Sequence, residues 1–178
     1  MNRLSALMCV VMMVLFVASG VGCQSTGTPC CPDCCTTPPL TAFLVRHAEK
    51  MNESRDAPLS MRGVERVRSL SSMLRDAELD GVFSTDYRRT RGTAEPVAAM
   101  HGVEVELYEA NDLEEFAAQL RERGGRILIA GHSNTTPDLV AHLGGVAGEP
   151  IVEATEYDRL YVVTIDQCGV VSTTLLRY

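Results

Sequence analysis

Short apolar runs alternate with segments of helical periodicity along residues 41–178. Short runs of apolar or alternating residues are typical of strands, whereas apolar residues that recur every three or four positions are typical of helices. Ser60, for example, is a good N-cap for a helix in which Val67 and Leu70 share one face. The pattern predicts strands at 42–46, 81–84, 103–107, 126–130, 160–165 and 170–176, and helices at 60–74, 90–100, 113–123 and 137–143.

This alternation of strands and helices favours a mainly parallel sheet that is covered by helices on both faces. Asp166-Gln167-Cys168-Gly169 separates the last two strands as a hairpin turn would, so the hairpin can add an antiparallel strand at one edge. The expected fold class is therefore α/β, a three-layer α/β/α sandwich with a mainly parallel central sheet. Residues 41–178 have about the usual size of one domain.

Ionisable side chains directly follow three of the predicted strands. Arg46 and His47 end the first strand, an arginine-rich segment at 84–91 follows the second, and His132 follows the strand at 126–130. The carboxyl ends of parallel strands meet at one rim of a sheet, where ligands bind. We therefore expect two histidines and several arginines to lie together at this rim.

The N-terminal residues differ from the rest of the chain. Arg3 precedes an uncharged run at 4–22, and small residues lead up to Cys23. This is typical of a signal segment, so we expect 1–22 to be a signal peptide or lipoprotein signal. The small residue before Cys23 also resembles the lipobox of bacterial lipoproteins, which predicts lipidation of Cys23. An uncleaved membrane anchor and an ordinary signal peptide remain alternatives. Each places the domain outside the cytoplasm, facing the periplasm or the cell exterior.

Residues 23–40 have the composition of a linker and are predicted to be a Cys/Pro-rich tether. Four cysteines cluster within it: Cys30, Cys31, Cys34 and Cys35. An oxidising compartment favours disulfides for such a cluster, while a metal site and the absence of a defined role stay open. Cys168 lies in the predicted turn and is expected to be a lone thiol.

The formal net charge of −7 narrows the range of partners. Proteins that bind the phosphate backbone of nucleic acids need a basic surface, so nucleic acid is not an expected partner. The acidity itself is explained by solubility.

Two histidines among arginines suit phosphate chemistry better than metal binding. Arginine cannot ligate a metal and would repel a cation, and no HExxH pattern accompanies His47 or His132. Guanidinium groups match phosphoryl oxygens in bidentate fashion and stay charged. A neutral imidazole held between them can attack phosphorus, because the arginines favour its neutral form and stabilise the transition state.

Four motifs, in order over residues 41–178, resemble the histidine phosphatase (phosphoglycerate mutase-like) superfamily. Leu44-Val45-Arg46-His47-Ala48-Glu49 is similar to its signature, in the Arg-His-Ala branch that includes small bacterial phosphohistidine phosphatases. The other three are a first-helix opening, a second-arginine motif and a second-histidine motif: Leu59-Ser60-Met61-Arg62-Gly63, Arg89-Thr90-Arg91-Gly92-Thr93-Ala94 and Gly131-His132-Ser133. The resemblance implies a phosphoglycerate mutase-like fold.

The resemblance also implies roles at the matching positions. His47 would be the nucleophile and would pass through a phosphohistidine, while Arg46, Arg89 and His132 would hold the phosphoryl group. Many members protonate the leaving group with a glutamate after the third strand, for which Glu109 is the closest match, with Asp112 three residues on. No metal or organic cofactor would be needed.

Three positions depart from the family pattern, and one further residue has two possible roles. Ala48 stands where glycine is commoner, Thr85 where serine is common, and Gly92 where glutamine is common. Neither Thr85 nor Gly92 is expected to touch the phosphoryl group. Asn134 could line the pocket and bind substrate, or it could cap the fourth helix.

We therefore expect an exported, metal-independent phosphatase that hydrolyses a phosphate monoester or phosphoramidate and is held at the membrane by an N-terminal lipid or anchor. Its partner would be a phosphorylated small molecule or a phosphoprotein. The alternative is a catalytically silent module that is tethered to the membrane and binds phosphorylated ligands or a protein. A Cys-rich metal or redox protein is a further rival, but it would use only residues 23–35.

Overall fold

The computed structural model describes residues 38–178, which form six strands and four helices. Each predicted strand and helix is present, and its ends lie within about two residues of the predicted ones. The elements in chain order are β1 Leu40–Arg46, α1 Met61–Met73, β2 Gly81–Ser84, α2 Arg88–His101, β3 Val105–Leu107, α3 Leu113–Arg123, β4 Gly125–Gly131, α4 Thr135–His142, β5 Arg159–Ile165 and β6 Val171–Arg177.

All six strands lie in one mixed sheet with the order β3-β2-β4-β1-β5-β6. The first four strands of this order are parallel to one another. β5 pairs antiparallel with β1, and β6 pairs antiparallel with β5 and forms the edge. The terminal hairpin therefore adds two strands to a parallel core, and the predicted mainly parallel sheet is confirmed.

Each face of the sheet is covered by two helices over its own apolar cluster. Val45 and Leu128 pack with Leu70 of α1 and Val97 of α2 on one face. Leu44 and Ile129, the next residues along the same strands, pack with helices α3 and α4 on the other face through Phe116 and Leu139. Successive strand side chains point to opposite faces, so this arrangement gives the predicted three layers.

The strand register decides where the ionisable residues lie. Arg46 at the end of β1 pairs with Gly131 at the end of β4, and Ser84 at the end of β2 pairs with Ala130. The carboxyl ends of β1, β2 and β4 are therefore level with one another. The opposite end of the sheet is marked by the pairing of Leu40 with Ile165.

The predicted signal segment, the lipidation site at Cys23 and the cysteine cluster of the tether lie outside the described residues. Within residues 38–178, no helix combines the length and the apolar character needed to cross a membrane. The expectation that Cys168 is a lone thiol is wrong, because Cys168 is disulfide-bonded. Residues 38–178 contain no second cysteine to pair with it.

Candidate active site

Main-chain amides of the loop that follows β1 donate hydrogen bonds to β4 and to a side chain of α2. The His47 amide donates to the Gly131 carbonyl at 2.9 Å. The Ala48 amide donates to Thr93 Oγ1 at 3.0 Å, and this hydroxyl donates to the Arg89 carbonyl at 2.8 Å. Thr93 therefore links the backbone beside His47 to the first turn of α2, which explains a threonine four residues after Arg89.

The start of α1 is locked onto the same loop. Ser60 caps the helix by accepting a hydrogen bond from the Gly63 amide at 3.1 Å, and its own amide donates to the Glu49 carbonyl at 2.8 Å. A Cβ atom at Gly63 would come within 2.3 Å of that carbonyl oxygen. The close approach therefore requires glycine, and the Leu-Ser-x-x-Gly motif is explained by the fixing of α1 to Glu49.

The Glu49 side chain is held by a charged network at the base of the site. Arg66 Nε and Nη2 donate to Glu49 Oε1 at 2.9 and 2.7 Å, and Arg66 Nη1 donates to the Tyr178 carbonyl at 2.7 Å. Burial opposes the ionisation of Glu49, but the hydrogen bonds from Arg66, a main-chain hydrogen bond and the charges of Arg66 and Arg62 together outweigh it and lower the pKa of this carboxyl. Glu49 is therefore ionised at neutral pH and fixes the end of the loop.

His47 is buried, with only 4% of its surface exposed. Its Nδ1 lies 2.8 Å from the Ala48 carbonyl, which can only accept, so Nδ1 carries the proton and Nε2 keeps a free lone pair. Burial, with the charges of Arg46 and Arg89, lowers the pKa of His47 to about 3 against the opposing Ala48 hydrogen bond. His47 is therefore a neutral imidazole at physiological pH.

The second histidine, His132, is fixed through both ring nitrogens. Thr85 Oγ1 donates to Thr90 Oγ1 at 3.0 Å, so it accepts a hydrogen bond from His132 Nε2, which lies 3.0 Å away. His132 Nδ1 then accepts from Arg89 Nη2 at 3.5 Å. Burial lowers the pKa of His132 to about 4, helped by the charges of Arg89 and Arg46. The ring centroids of His47 and His132 are 5.5 Å apart.

Arg46 is a buried cation with 1% of its surface exposed. Its guanidinium lies 3.9 Å from the centroid of the Tyr157 ring, and Nη1 donates to the Glu156 carbonyl at 2.8 Å. Burial lowers the pKa of Arg46 from its ordinary value. Among the described residues, its Nε has no hydrogen-bond partner. The guanidinium therefore keeps donor capacity that an oxyanion next to His47 can use.

Arg89 is the arginine of the 84–91 segment that faces the two histidines. Its guanidinium lies 4.4 Å from the centroid of the Tyr87 ring, and Nη1 donates to the Arg55 carbonyl at 2.7 Å. Arg91 instead forms ion pairs with Asp86 and Glu95 on the exposed side of α2. Arg89, which the motif predicted, thus lies beside the two histidines, whereas Arg91 lies at the surface.

A cavity of about 310 Å³ opens at this rim and is lined by His47, Lys50, Tyr87, Arg89, His132, Ser133, Asn134 and Glu153. Arg46 is not among the residues that line this cavity, but its charge acts on both histidines. Asn134 occupies the N-cap position of α4, but its side chain makes no capping hydrogen bond, and it lines the cavity instead.

The two candidate proton donors from the sequence do not line this cavity. Glu109 is exposed and lines a neighbouring cavity of about 480 Å³ together with Arg55 and Tyr87. Asp112 caps α3 by accepting a hydrogen bond from the Glu115 amide at 3.4 Å. The structure therefore brings Arg46, His47, Arg89, His132 and Asn134 together but leaves both acids to one side.

Several residues of the site carry no signal in the sequence. Tyr157 and Glu153 lie in the loop between α4 and β5, and no motif in the sequence marks either residue. Thr85 was recognised as a departure from a motif, but its contact with His132 was not anticipated. Within residues 38–178, no group of three or more His, Cys, Asp or Glu side chains could hold a metal ion.

Comparison with known sequences gives one family. Residues 42–122 match the family model of the histidine phosphatase superfamily (branch 1). This range includes His47 and Arg89 but ends before His132. No curated protein is similar enough to this chain to count as a match.

Solved structures with the same fold extend the likeness beyond residue 122. A candidate alpha-ribazole-5′-phosphate phosphatase from Escherichia coli K-12 is 18% identical, with a TM-score of 0.62 over 78% of this chain and 95% of its own. The protein histidine phosphatase SixA in complex with tungstate is 18% identical, with a TM-score of 0.58 over 78% and 97%. A phosphoglycerate mutase from Bacillus anthracis is 14% identical, with a TM-score of 0.60 over 81% and 94%. Identities this low show the fold, and the predicted phosphoglycerate mutase-like fold is confirmed.

Proposed function

We propose that this chain is a phosphatase of the histidine phosphatase superfamily, whose family model matches residues 42–122, and that it hydrolyses a phosphate monoester or phosphoramidate through a phosphohistidine on His47. One observation carries this proposal. His47 Nδ1 is committed to the Ala48 carbonyl, which leaves a neutral Nε2 in a cavity shared with Arg89 and His132. An unprotonated nitrogen between cationic groups is what attack on a phosphoryl group needs.

In the first step the substrate phosphoryl group enters between Arg89 and His132, with Arg46 behind it. Nε2 of His47 attacks phosphorus, the new N–P bond forms, and the bond to the leaving group breaks. The Ala48 carbonyl stabilises the positive charge that develops on the ring, because it accepts the Nδ1 proton throughout. The two guanidinium groups stabilise the equatorial oxygens of the transition state.

His132 changes its hydrogen bonding when the phosphoryl group arrives. Without substrate its Nδ1 accepts from Arg89, so this nitrogen cannot donate to an oxyanion. A phosphoryl dianion favours the protonated ring and competes for the Arg89 guanidinium. We infer that His132 takes up a proton at Nδ1 on binding and then donates to a phosphoryl oxygen, while Nε2 continues to donate to Thr85.

In the second step a water molecule attacks the phosphohistidine, the N–P bond breaks and inorganic phosphate leaves. No step needs a metal ion. The substrate is a phosphorylated small molecule or a phosphoprotein. Solved structures with this fold include phosphatases of both kinds of substrate, a protein histidine phosphatase and a mycobacterial glucosyl-3-phosphoglycerate phosphatase.

From the sequence of residues 1–40 we further propose that the enzyme is exported and held at the membrane through Cys23.

The test is hydrolysis of 4-nitrophenyl phosphate by the full chain in EDTA, with His47→Ala and His142→Ala compared to wild type. His142 is an exposed histidine of α4 and serves as the matched control. We expect turnover by wild type and His142→Ala, and a loss of roughly 10³-fold or more in His47→Ala. A denaturing quench at alkaline pH should trap a phosphoenzyme in wild type and His142→Ala but not in His47→Ala, and acid treatment should release its phosphate.

Three results would contradict the proposal. Full activity of His47→Ala would rule out His47 as the nucleophile. A wild-type protein that binds tungstate but hydrolyses no aryl phosphate and forms no phosphoenzyme would instead support the binding module. Loss of activity in EDTA that zinc restores would support a metal enzyme.

A further inference from the structure

The loop between α4 and β5 brings a carboxyl group to the site from an unexpected direction. Of the described residues that line the cavity with His47 and His132, only Glu153 has a carboxyl group. Its charge also acts on Arg46. Glu153 therefore lies in the same cavity as the nucleophile, whereas Glu109 lines the adjoining one.

Residues 152–155 of this loop are exposed, but charged contacts and hydrogen bonds hold the loop in place. The Glu156 carboxylate accepts from the Val152 amide at 2.9 Å and from Arg159 Nε at 2.8 Å. Arg159, which is 7% exposed, also donates to the carbonyl of Glu149 at 2.6 Å. Hydrogen bonds from Arg159 and the Val152 amide lower the pKa of Glu156 to about 2, so this contact persists at neutral pH.

The anchored loop also determines the geometry around the nucleophile. It supplies the Glu156 carbonyl and the Tyr157 ring to Arg46, and the Tyr157 ring centroid lies 6.1 Å from that of His47. Val152 and Glu156 thus fix both ends of the short segment that carries Glu153. A carboxyl group whose backbone is fixed in the cavity of the nucleophile needs less ordering before it transfers a proton.

We propose that Glu153 is the proton donor of the phosphatase reaction, in place of Glu109. This inference rests on the proposed function. As His47 Nε2 bonds to phosphorus, the Glu153 carboxyl gives its proton to the leaving oxygen or nitrogen. In hydrolysis the Glu153 carboxylate takes a proton from the attacking water and is restored.

The experiment compares two substrates of similar size with different leaving groups, 4-nitrophenyl phosphate and benzyl phosphate. A nitrophenolate leaves without help, whereas an alkoxide needs a proton. We expect Glu153→Gln to lose roughly 10²-fold or more in kcat on benzyl phosphate but only a few-fold on 4-nitrophenyl phosphate. Glu149→Gln, in the same loop, is the control and should match wild type on both.

The outcomes separate this inference from the proposed function. A selective loss on benzyl phosphate in Glu109→Gln, with Glu153→Gln unaffected, would assign the acid to Glu109. Equal losses on both substrates in Glu153→Gln would show a structural role only. Wild-type turnover of 4-nitrophenyl phosphate but not of benzyl phosphate would mean that no acid operates. Activity that survives His47→Ala would overturn the proposed function itself.

Discussion

Arg46 reaches the two histidines from the end of β1 and Arg89 from the first turn of α2, and both are held by an aromatic ring and a carbonyl. Arg46 lies over Tyr157 and donates to the Glu156 carbonyl, in a loop fixed by Arg159. Arg89 lies over Tyr87 and donates to the Arg55 carbonyl.

The surroundings of the two arginines differ. Arg46 is buried, whereas Arg89 is partly exposed and Arg55 belongs to an exposed stretch between β1 and α1. Side chains that are buried and paired have little freedom, while exposed ones can follow a ligand. The same two contacts thus produce one fixed cation and one that can adjust as substrate enters.

Replacement of each arginine by lysine tests this difference most strongly. Lysine keeps the charge but loses the planar fork and its fit to the ring. We expect Arg46→Lys to lower kcat by roughly 10²–10³-fold, because it removes a preorganised donor from the transition state. Arg89→Lys should raise KM more than it lowers kcat. Steady-state kinetics on 4-nitrophenyl phosphate would measure kcat and KM of both variants, with Arg91→Lys as a surface control. A larger loss of kcat in Arg89→Lys than in Arg46→Lys would contradict the assignment of Arg46 as the fixed cation.

Loss of the aromatic rings should affect stability unequally. Tyr157→Leu removes a ring from a buried cation, so we expect the free energy of unfolding to fall by about 1–2 kcal/mol. Tyr87→Leu removes a ring from a partly exposed cation and should cost about 1 kcal/mol or less. Urea unfolding of the two variants measures these values. Equal losses would show that burial does not distinguish the two arginines.

The smallest expected effect is on the pH dependence of stability, to which the two histidines of the site contribute. The pKa of His47 is lowered to about 3 and that of His132 to about 4, while unfolded histidine titrates near about 6.5. Below that value the unfolded chain binds protons that the folded state does not, so stability should fall as pH decreases towards 4 and then 3. NMR titration of the substrate-free protein should find both rings neutral at about pH 5.5, with His132 protonating first. Protonation of either ring above pH 6 would contradict this account.

The rim of the site could be predicted because it follows from the strand pattern. His47 and His132 directly follow β1 and β4, so a parallel sheet must place both at the same rim. The observed pairing of Arg46 with Gly131 confirms that the two strand ends are level. The sequence shows Thr93 and Gly63 as parts of family motifs. Why these two positions need threonine and glycine is explained only by their contacts with Ala48 and Glu49 in the folded protein.

The fixed side of the site could not be predicted, because its parts are distant in sequence. Glu156 is 110 positions from the Arg46 that it contacts, and no local pattern relates them. The sequence also could not predict which ring nitrogens carry protons, since the tautomers of His47 and His132 depend on the Ala48 carbonyl and on Thr85. Position in a loop also concealed Glu153, because periodicity carries no information where there is no regular structure.

The pairing of Leu40 with Ile165 has a consequence for how the enzyme can be presented to its substrate. β1 enters the sheet at the end opposite to His47, and its seven residues separate the two ends by roughly 20 Å. The turn that carries Cys168 follows Ile165 at the same far end. An enzyme attached to a bead or a surface through the chain ahead of residue 38 would therefore turn the mouth of its cavity outward, where even a folded phosphoprotein has room to approach.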